Sequence, residues 1–239
     1  MTVGMEVRLL YGLRRWPGAT LGEFHEHWLD HHVVRYGLPL TAIRRYVLYA
    51  AVDPQPETPS GRAPYDGVAS VWFDDAATLK RILDGAMVEA GIDEARFIDH
   101  DRSRAVLADD RVVVEPDAPA PVVLAEFLAR PEGASAAEFA AAWAAHGDAV
   151  RAQYGDGLLQ GYVQSVVRTD PAGGTAAFDA LGDPEERWDG VGMAYFDSVV
   201  AARRYIAAAR HPSAGAPFAD ERRTVTMLAR RHPRRDPIR

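Results

Sequence analysis

No cysteine occurs among the 239 residues of this sequence. Disulfides, thiolate-bound metals and a cysteine nucleophile are therefore excluded. The sequence also lacks an apolar run long enough to span a bilayer, and its N-terminus carries no charged-then-apolar leader. From these two absences we expect a cytoplasmic protein that makes no contact with a membrane.

Positive charge is scarce as well, because 27 Lys and Arg residues stand against 34 Asp and Glu residues and the formal net charge is −7. This balance argues against nucleic acid as a partner. A local exception is the segment 230–239, in which five of ten residues are Arg. Because this segment contains prolines and no aromatic residue, it predicts a solvated terminus.

A short motif, Phe-x-x-x-Trp-x-x-His, occurs twice in the sequence. Its copies are Phe24, Trp28 and His31 in the first half and Phe139, Trp143 and His146 in the second. In a helix, which turns by about 100° per residue, the three side chains of each copy lie within roughly 60° of one another. The motif therefore predicts two helices, each carrying a histidine beside a tryptophan on its inward face. Capping boxes, Thr20 with Glu23 and Ser135 with Glu138, mark where both helices begin.

The order of predicted elements also repeats. Strands at 5–13, 43–52, 68–73 and 105–114 and helices at 20–37 and 75–86 give the order βαββαβ, which is ferredoxin-like. A segment with three prolines in seven residues, 115–121, follows as a linker. We therefore divide the chain into a first repeat (1–114), a linker (115–121) and a second repeat (122–239).

Four blocks recur in the same order in both halves, which indicates an internal duplication. A single ferredoxin-like unit leaves one face of its sheet uncovered, and a second unit can cover that face. The sequence thus predicts an α+β fold in which two tandem ferredoxin-like (βαββαβ) repeats form one pseudo-symmetric barrel. Edge strands left over after this pairing leave a homodimer possible.

The motifs resemble those of the EthD family, part of the dimeric α+β barrel superfamily. The resemblance rests on the Arg-x-Trp-Pro-Gly-x-Thr turn, the Glu-Phe-x-x-x-Trp-x-x-His helix, the aromatic-Asp-Gly strand opening and the Phe-x-Asp-Glu approach to the last strand. It covers residues 5–114 and 121–231, and the first copy departs from it with His100 where the second has Glu221. The resemblance implies a dimeric α+β barrel. Similar domains act as decarboxylases, dehydratases or cyclases on aromatic polyketides, and the wider superfamily includes cofactor-free monooxygenases, lactone isomerases and haem enzymes.

His31 is the predicted acid/base, because an imidazole titrates near neutral pH and can move protons on an enolisable or phenolic substrate. His146 is its weaker counterpart, and Asp66 or Asp101 is the predicted orienting carboxylate. A core histidine and ordinary Asp-Gly turn chemistry are the alternatives left open. His27 and His31 have a spacing that two metal ligands can share, but no third ligand follows, so no metal site is expected.

Aromatic residues on the predicted helices and strands suit a flat substrate, and a tyrosine hydroxyl can bind an oxyanion. The predicted substrate-binding residues are Trp28, Arg35, Tyr46, Tyr65 and Trp72. Taken with what the resemblance implies, these features favour a cofactor-independent lyase- or cyclase-type enzyme of secondary metabolism, acting on a small aromatic or polyketide-like metabolite. The alternatives are a non-catalytic metabolite-binding or accessory protein and a cofactor-free monooxygenase, and a histidine-ligated haem stays open.

Overall fold

The computed structural model of the protein describes residues 6–57, 61, 64–83, 85, 88–116, 120–153, 159–168, 187–209 and 218–235. The first half consists of β1 (Val7–Leu13), α1 (Leu21–Glu26), a π-helical segment π1 (His27–Gly37), β2 (Arg45–Ala51), β3 (Gly67–Phe73), α2 (Ala76–Leu83), α3 (Val88–Glu94) and β4 (Arg104–Val114). The second half consists of β5 (Val122–Leu128), α4 (Ala136–Gln153), β6 (Gly161–Val167), β7 (Gly190–Phe196), α5 (Val199–Ala209) and β8 (Val225–Arg235). None of the helices in these ranges combines the length and apolar character needed to cross a bilayer.

The eight strands form one closed barrel in the order β1-β3-β2-β8-β5-β7-β6-β4, and every neighbouring pair is antiparallel. The halves join where β2 pairs with β8 and β4 pairs with β6. The predicted α+β barrel is confirmed at this level. The expected leftover edge strands were wrong, because closure gives each of the eight strands a partner on both sides.

Most side chains in the barrel interior are apolar, but the buried guanidinium of Arg8 pairs there with Asp110, whose side chain is 23% exposed. Arg8 in β1 is 1% exposed. Its guanidinium donates to Asp110 at 3.1 Å and to the hydroxyls of Ser70 and Ser165 at 2.8 and 3.0 Å. The guanidinium also lies 4.4 Å from the ring centre of Trp72. Because a buried charge is costly unless it is paired and hydrogen-bonded, this network explains how an arginine is accommodated inside the barrel.

Helices cover the outer face of the sheet, and a tryptophan from each half packs against a glycine there. The indole of Trp28 lies on Gly67, and that of Trp143 lies on Gly190, so close that a β-carbon at either glycine would overlap the ring. Both glycines belong to the repeated Asp-Gly motif. The motif therefore uses glycine to let the helix approach the sheet.

The boundaries differ from prediction in two places. The helix expected over 75–86 is two helices, α2 and α3, which extend to Glu94. The solvated terminus expected over 230–239 was wrong up to Arg235, because β8 continues to that residue and pairs with β2. Arg235 also donates to the carbonyls of Leu38, Leu40 and Ile43, which follow the end of π1, where backbone carbonyls need donors from outside the helix. Residues 236–239, and 117–119 of the predicted linker, lie outside the described residues.

Candidate functional site

A cavity of about 80 Å³ lies between the outer face of the first-half sheet and the helices that cover it. Leu, Ile, Val and Phe side chains form most of its wall. Its polar groups are Tyr11, His32, Tyr36, Tyr46 and Glu94. We call this space the first-half cavity. An apolar space with a few convergent polar groups is the usual form of a small-molecule site.

The π-helical segment decides which histidine enters this cavity. The amide of Leu38 donates to the carbonyl of Val33 at 2.9 Å, a bond to the fifth preceding residue. Each π-helical turn therefore holds more residues than an α-helical turn. The position three residues after Trp28 consequently turns outward and the position four residues after it turns inward. His32 is buried and His31 is exposed, so the predicted inward face for His31 was wrong.

His32 is held by two carboxylates from α3. Its Nδ1 lies 2.9 Å from Oδ2 of Asp93, and its Nε2 lies 3.4 Å from Oε1 of Glu94. Burial lowers the pKa of His32, but the bonds to Glu94 and Asp93 and their charges outweigh it, so the pKa lies above its ordinary value. His32 thus gains affinity for a proton while facing an apolar space.

Asp93 serves two histidines at once. Its Oδ2 also lies 3.1 Å from Nε2 of His27, one turn before His32. Burial raises the pKa of Asp93, but the bonds from His32 and His27 reverse this effect and leave the pKa below its ordinary value. Asp93 therefore ties π1 to α3 and fixes the plane of the His32 ring.

Two tyrosine hydroxyls complete the polar part of the cavity. Tyr11 bonds to Nδ1 of His100 through its hydroxyl at 3.0 Å. Burial and the nearby charge of Glu94 raise the pKa of Tyr11 well above its ordinary value. The same two causes raise the pKa of Tyr46. Both phenols therefore keep their protons near neutral pH and can donate hydrogen bonds to a negatively charged oxygen.

The predicted substrate-binding residues occupy three different environments. Trp28 and Tyr46 line the first-half cavity. Tyr65 and Trp72 lie in the barrel interior, where the hydroxyl of Tyr65 accepts from Trp188 at 3.1 Å. Arg35 is exposed and lies over the ring of its neighbour in π1, so the structure does not bring it into the cavity.

The two predicted orienting carboxylates do not face a histidine ring. Asp66 accepts from the backbone amide of Arg15 at 2.8 Å and forms a short ion pair with the guanidinium of Arg15. Asp101 is exposed in a turn. The expectation that either carboxylate orients His31 was therefore wrong, because Asp66 is used in joining the strand end to the following turn. Asp189 repeats this arrangement with Arg130 in the second half.

His146 has surroundings unlike those of His32. It is half-buried, and its ring stacks on Phe218 with centres 4.5 Å apart. Burial lowers its pKa. Among the described residues, no hydrogen-bond partner of His146 is found. The histidine of the second half therefore packs as an aromatic ring.

Sequence reasoning missed His32, Asp93, Glu94 and Tyr11. The contact between His32 and Asp93 joins residues 61 positions apart, and no motif marks the α3 carboxylates. The alternation along β1 could have separated Tyr11 from the barrel-facing side. The π-helical segment, by contrast, leaves no signal in the spacing of apolar residues.

The first-half cavity does not suit a metal ion or a haem. No group of three or more metal-ligating side chains is found within the ranges the structure describes. A haem is at least drug-sized and would need about 300–1,000 Å³. The first-half cavity, at about 80 Å³, is too small.

Comparisons with known proteins agree with this fold. The model of the EthD domain matches residues 16–101, in agreement with the resemblance of the sequence motifs to that family. An anthrone oxidase-like protein superposes with a TM-score of 0.59 at 10% identity, covering 96% of this chain and 93% of that one. A mutant chlorite dismutase from Candidatus Nitrospira defluvii gives a TM-score of 0.51 at 9% identity, covering 97% and 93%. At such identities the structures share the fold alone. Comparison with curated proteins finds no match.

Proposed function

We propose that the protein is an enzyme that moves a proton on a small, mostly apolar substrate bound in the first-half cavity, with His32 as the base. The observation that carries this proposal is the position of His32 between the carboxylates of Asp93 and Glu94, facing apolar walls. The two carboxylates favour the imidazolium that forms when His32 accepts a proton. An arrangement of this kind supports proton abstraction.

The proposed step is the removal of a hydrogen next to a carbonyl group. Nε2 of neutral His32 accepts the proton, and the electron pair of the C–H bond forms the enolate double bond. The carbonyl oxygen gains the negative charge, and the protonated hydroxyl of Tyr11 or Tyr46 donates a hydrogen bond to it. Dehydration and cyclisation of a polyketide-like metabolite can each begin with this step, and decarboxylation forms the same kind of enolate by losing CO2 in place of a proton. The lyase- or cyclase-type reaction remains a prediction within this class.

The size of the cavity restricts the substrate. An engineered cavity of about 150 Å³ holds benzene, so about 80 Å³ holds a smaller molecule. A fused aromatic substrate requires α3 and π1 to separate. The bonds from His27 and His32 to Asp93 hold these two elements together. We therefore expect small ketones to enter more readily than polycyclic ones.

Cofactor-free oxidation is a second candidate, favoured by the anthrone oxidase-like protein that shares this fold. It would begin with the same proton abstraction. A methylene carbon would then lose two hydrogens and gain one atom of dioxygen, while the other oxygen atom leaves as water. Oxygen consumption separates the candidates, because enolate formation alone consumes none.

Hydrogen–deuterium exchange of acetone or butanone in D2O, followed by NMR, tests the proposed base without knowledge of the natural product. The wild-type protein should accelerate exchange next to the carbonyl. His32→Asn should abolish the acceleration, since an amide can still donate to Asp93 but has no basic nitrogen. His31→Asn is the matched control, because this neighbour is exposed, and it should exchange at the wild-type rate.

The pH dependence of exchange gives a second readout. Only neutral His32 can accept a proton, so the rate should rise with pH through a midpoint above 6.5, the ordinary pKa of histidine. Equal exchange in wild type and His32→Asn would contradict the proposal. Binding of a ketone without exchange, unaffected by His32→Asn, would support the alternative of a metabolite-binding protein.

We also propose that the halves descend from one duplicated ferredoxin-like unit. Two observations support this proposal. Both halves have the same strand order, and in both a tryptophan packs against a glycine, at Gly67 and at Gly190. The homodimer and the cytoplasmic location remain predictions. Light scattering of the purified protein tests the homodimer.

A further inference from the structure

A second and larger cavity, of about 380 Å³, opens at the end of the barrel where β1 and β2 finish and β3 begins. We call it the barrel-end cleft. It lies outside the first-half cavity, and its volume falls within the roughly 300–1,000 Å³ typical of ligand pockets. Its wall includes the Arg-x-Trp-Pro-Gly turn, which the proposed function does not use.

Three arginines line the barrel-end cleft: Arg14, Arg15 and Arg102. The carboxylates on its wall are Asp53 and Asp66, so the cleft has a formal excess of one positive charge in a protein of net charge −7. A local positive excess of this kind attracts a small anion.

The arginines differ in how firmly they are held. Arg14 is buried, donates to the carbonyls of Pro64 and Arg102 at 2.9 Å each, and lies 4.8 Å from the ring centre of Tyr65. Arg15 is paired with Asp66. Arg102 is 57% exposed and reaches its only described ion-pair partner, Asp99, at 3.8 Å. Arg102 is therefore the guanidinium that can turn toward a ligand at the smallest cost.

A tryptophan stands at the rim of the barrel-end cleft. Trp16 is 53% exposed, an unusual position for so large an apolar side chain. Its backbone is fixed, because its amide donates to the carbonyl of Phe97 at 2.8 Å. An exposed indole on a fixed backbone offers a flat surface on which an aromatic ring can stack.

We propose that the barrel-end cleft binds an aryl carboxylate. A guanidinium matches a carboxylate with two parallel hydrogen bonds, and an indole matches a flat ring. This site is independent of the base in the first-half cavity.

Titration with benzoate, followed by calorimetry or protein NMR, tests the proposal. Benzoate should bind, and the neutral isostere benzamide should bind at least tenfold more weakly, since a charge-assisted bond is replaced. Cyclohexanecarboxylate, which keeps the charge but not the flat ring, should also bind more weakly than benzoate. Benzamide binding as well as benzoate would overturn the proposal.

Two variants locate the binding. Arg102→Gln and Trp16→Leu should each weaken benzoate roughly tenfold, and His32→Asn should leave benzoate binding unchanged. Arg96→Gln is the matched control, because Arg96 is also exposed and pairs with an aspartate three residues away at 3.9 Å. Equal benzoate affinity in Arg102→Gln, Arg96→Gln and wild type would overturn the assignment. Since Arg102 is exposed, the fold of Arg102→Gln should survive and keep the test valid even if Trp16→Leu is unstable.

Discussion

Removing the charge of Asp93 should weaken the contact between π1 and α3. In Asp93→Asn the amide oxygen can still accept one hydrogen bond, but the attraction between the carboxylate and protonated His32 disappears. We therefore expect a lower free energy of unfolding at pH 6. We also expect a lower pKa for His32, because one of the two carboxylates that raise it is gone.

The size of the loss at pH 6 follows from the burial of each partner. His32 has a side chain 7% exposed, and a hydrogen bond to a charged group is worth about 1.5–3 kcal/mol. His27 is 37% exposed, so its pair with Asp93 adds about 0–1 kcal/mol. Asparagine keeps part of the hydrogen bonding. The expected net loss for Asp93→Asn is therefore about 2 kcal/mol.

The loss should depend on pH in one direction. The pKa of His32 is higher in the folded protein than its ordinary value of 6.5. Its stabilisation is therefore complete below pH 6.5 and fades as the pH rises through the folded-state pKa. The destabilisation by Asp93→Asn should thus be larger at pH 6 than at pH 8.5. At both values Asp93 in the wild type is ionised, because its pKa is below its ordinary 3.8.

Urea unfolding at pH 6 and pH 8.5, followed by circular dichroism, measures this difference. Glu89→Gln is the matched control, because Glu89 lies on the same helix, α3, and is exposed. It should change the free energy of unfolding by less than about 0.5 kcal/mol at either pH. If Asp93→Asn costs the same at both values, the charged contact with His32 does not stabilise the fold and our account of the site fails.

Two further predictions concern packing and a buried carboxyl. Gly67→Ala should lower the free energy of unfolding in urea by about 1–3 kcal/mol, because the new methyl group would overlap the buried indole of Trp28. Gly22→Ala is the control, because a β-carbon at Gly22 meets no atom within 4 Å and should cause no such loss. Equal losses in the two variants would contradict the packing account. Burial raises the pKa of Glu126 to about 7, so its ionisation opposes folding and stability falls as pH rises from 4.5 through 7. Glu126→Gln should therefore be more stable than wild type at pH 8, by up to about 3 kcal/mol, and not at pH 4.5. A pH-independent difference would argue against a partly buried carboxyl that stays neutral when folded.

The fold could be predicted because its determinants are local and repeated. The capping box formed by Thr20 and Glu23 is present with all its reciprocal bonds, and so is that of Ser135 and Glu138. Helix starts of this kind depend on residues three positions apart, so one sequence reveals them. The repeated Asp-Gly could also be found in the sequence, but the reason for its glycine could not. In the first half that reason is the indole of Trp28, which lies about forty residues earlier and leaves no room for a β-carbon at Gly67.

The site could not be predicted because it depends on contacts that spacing does not encode. Asp93 follows His32 by 61 residues, with β2, β3 and α2 between them, and no intervening residue indicates the contact. The sequence predicts His31 because it follows Trp28 by three residues, as His146 follows Trp143. Equal spacing places two side chains on the same face only where the two helices have the same number of residues per turn. The π1 segment breaks that condition.

The difference of one residue explains why the halves differ chemically. Phe97 and Phe218 hold equivalent places before the last strand of each half, and each contacts a histidine of the Trp-bearing helix. In the second half that histidine follows its tryptophan by three residues; in the first half the buried one, His32, follows by four. The extra residue is absorbed as the π-helical turn and brings His32 within reach of Asp93 and Glu94. Because π-helical turns are found often at functional sites, the π-helical turn beside the carboxylate-bound histidine supports our proposal that the first half carries the chemistry.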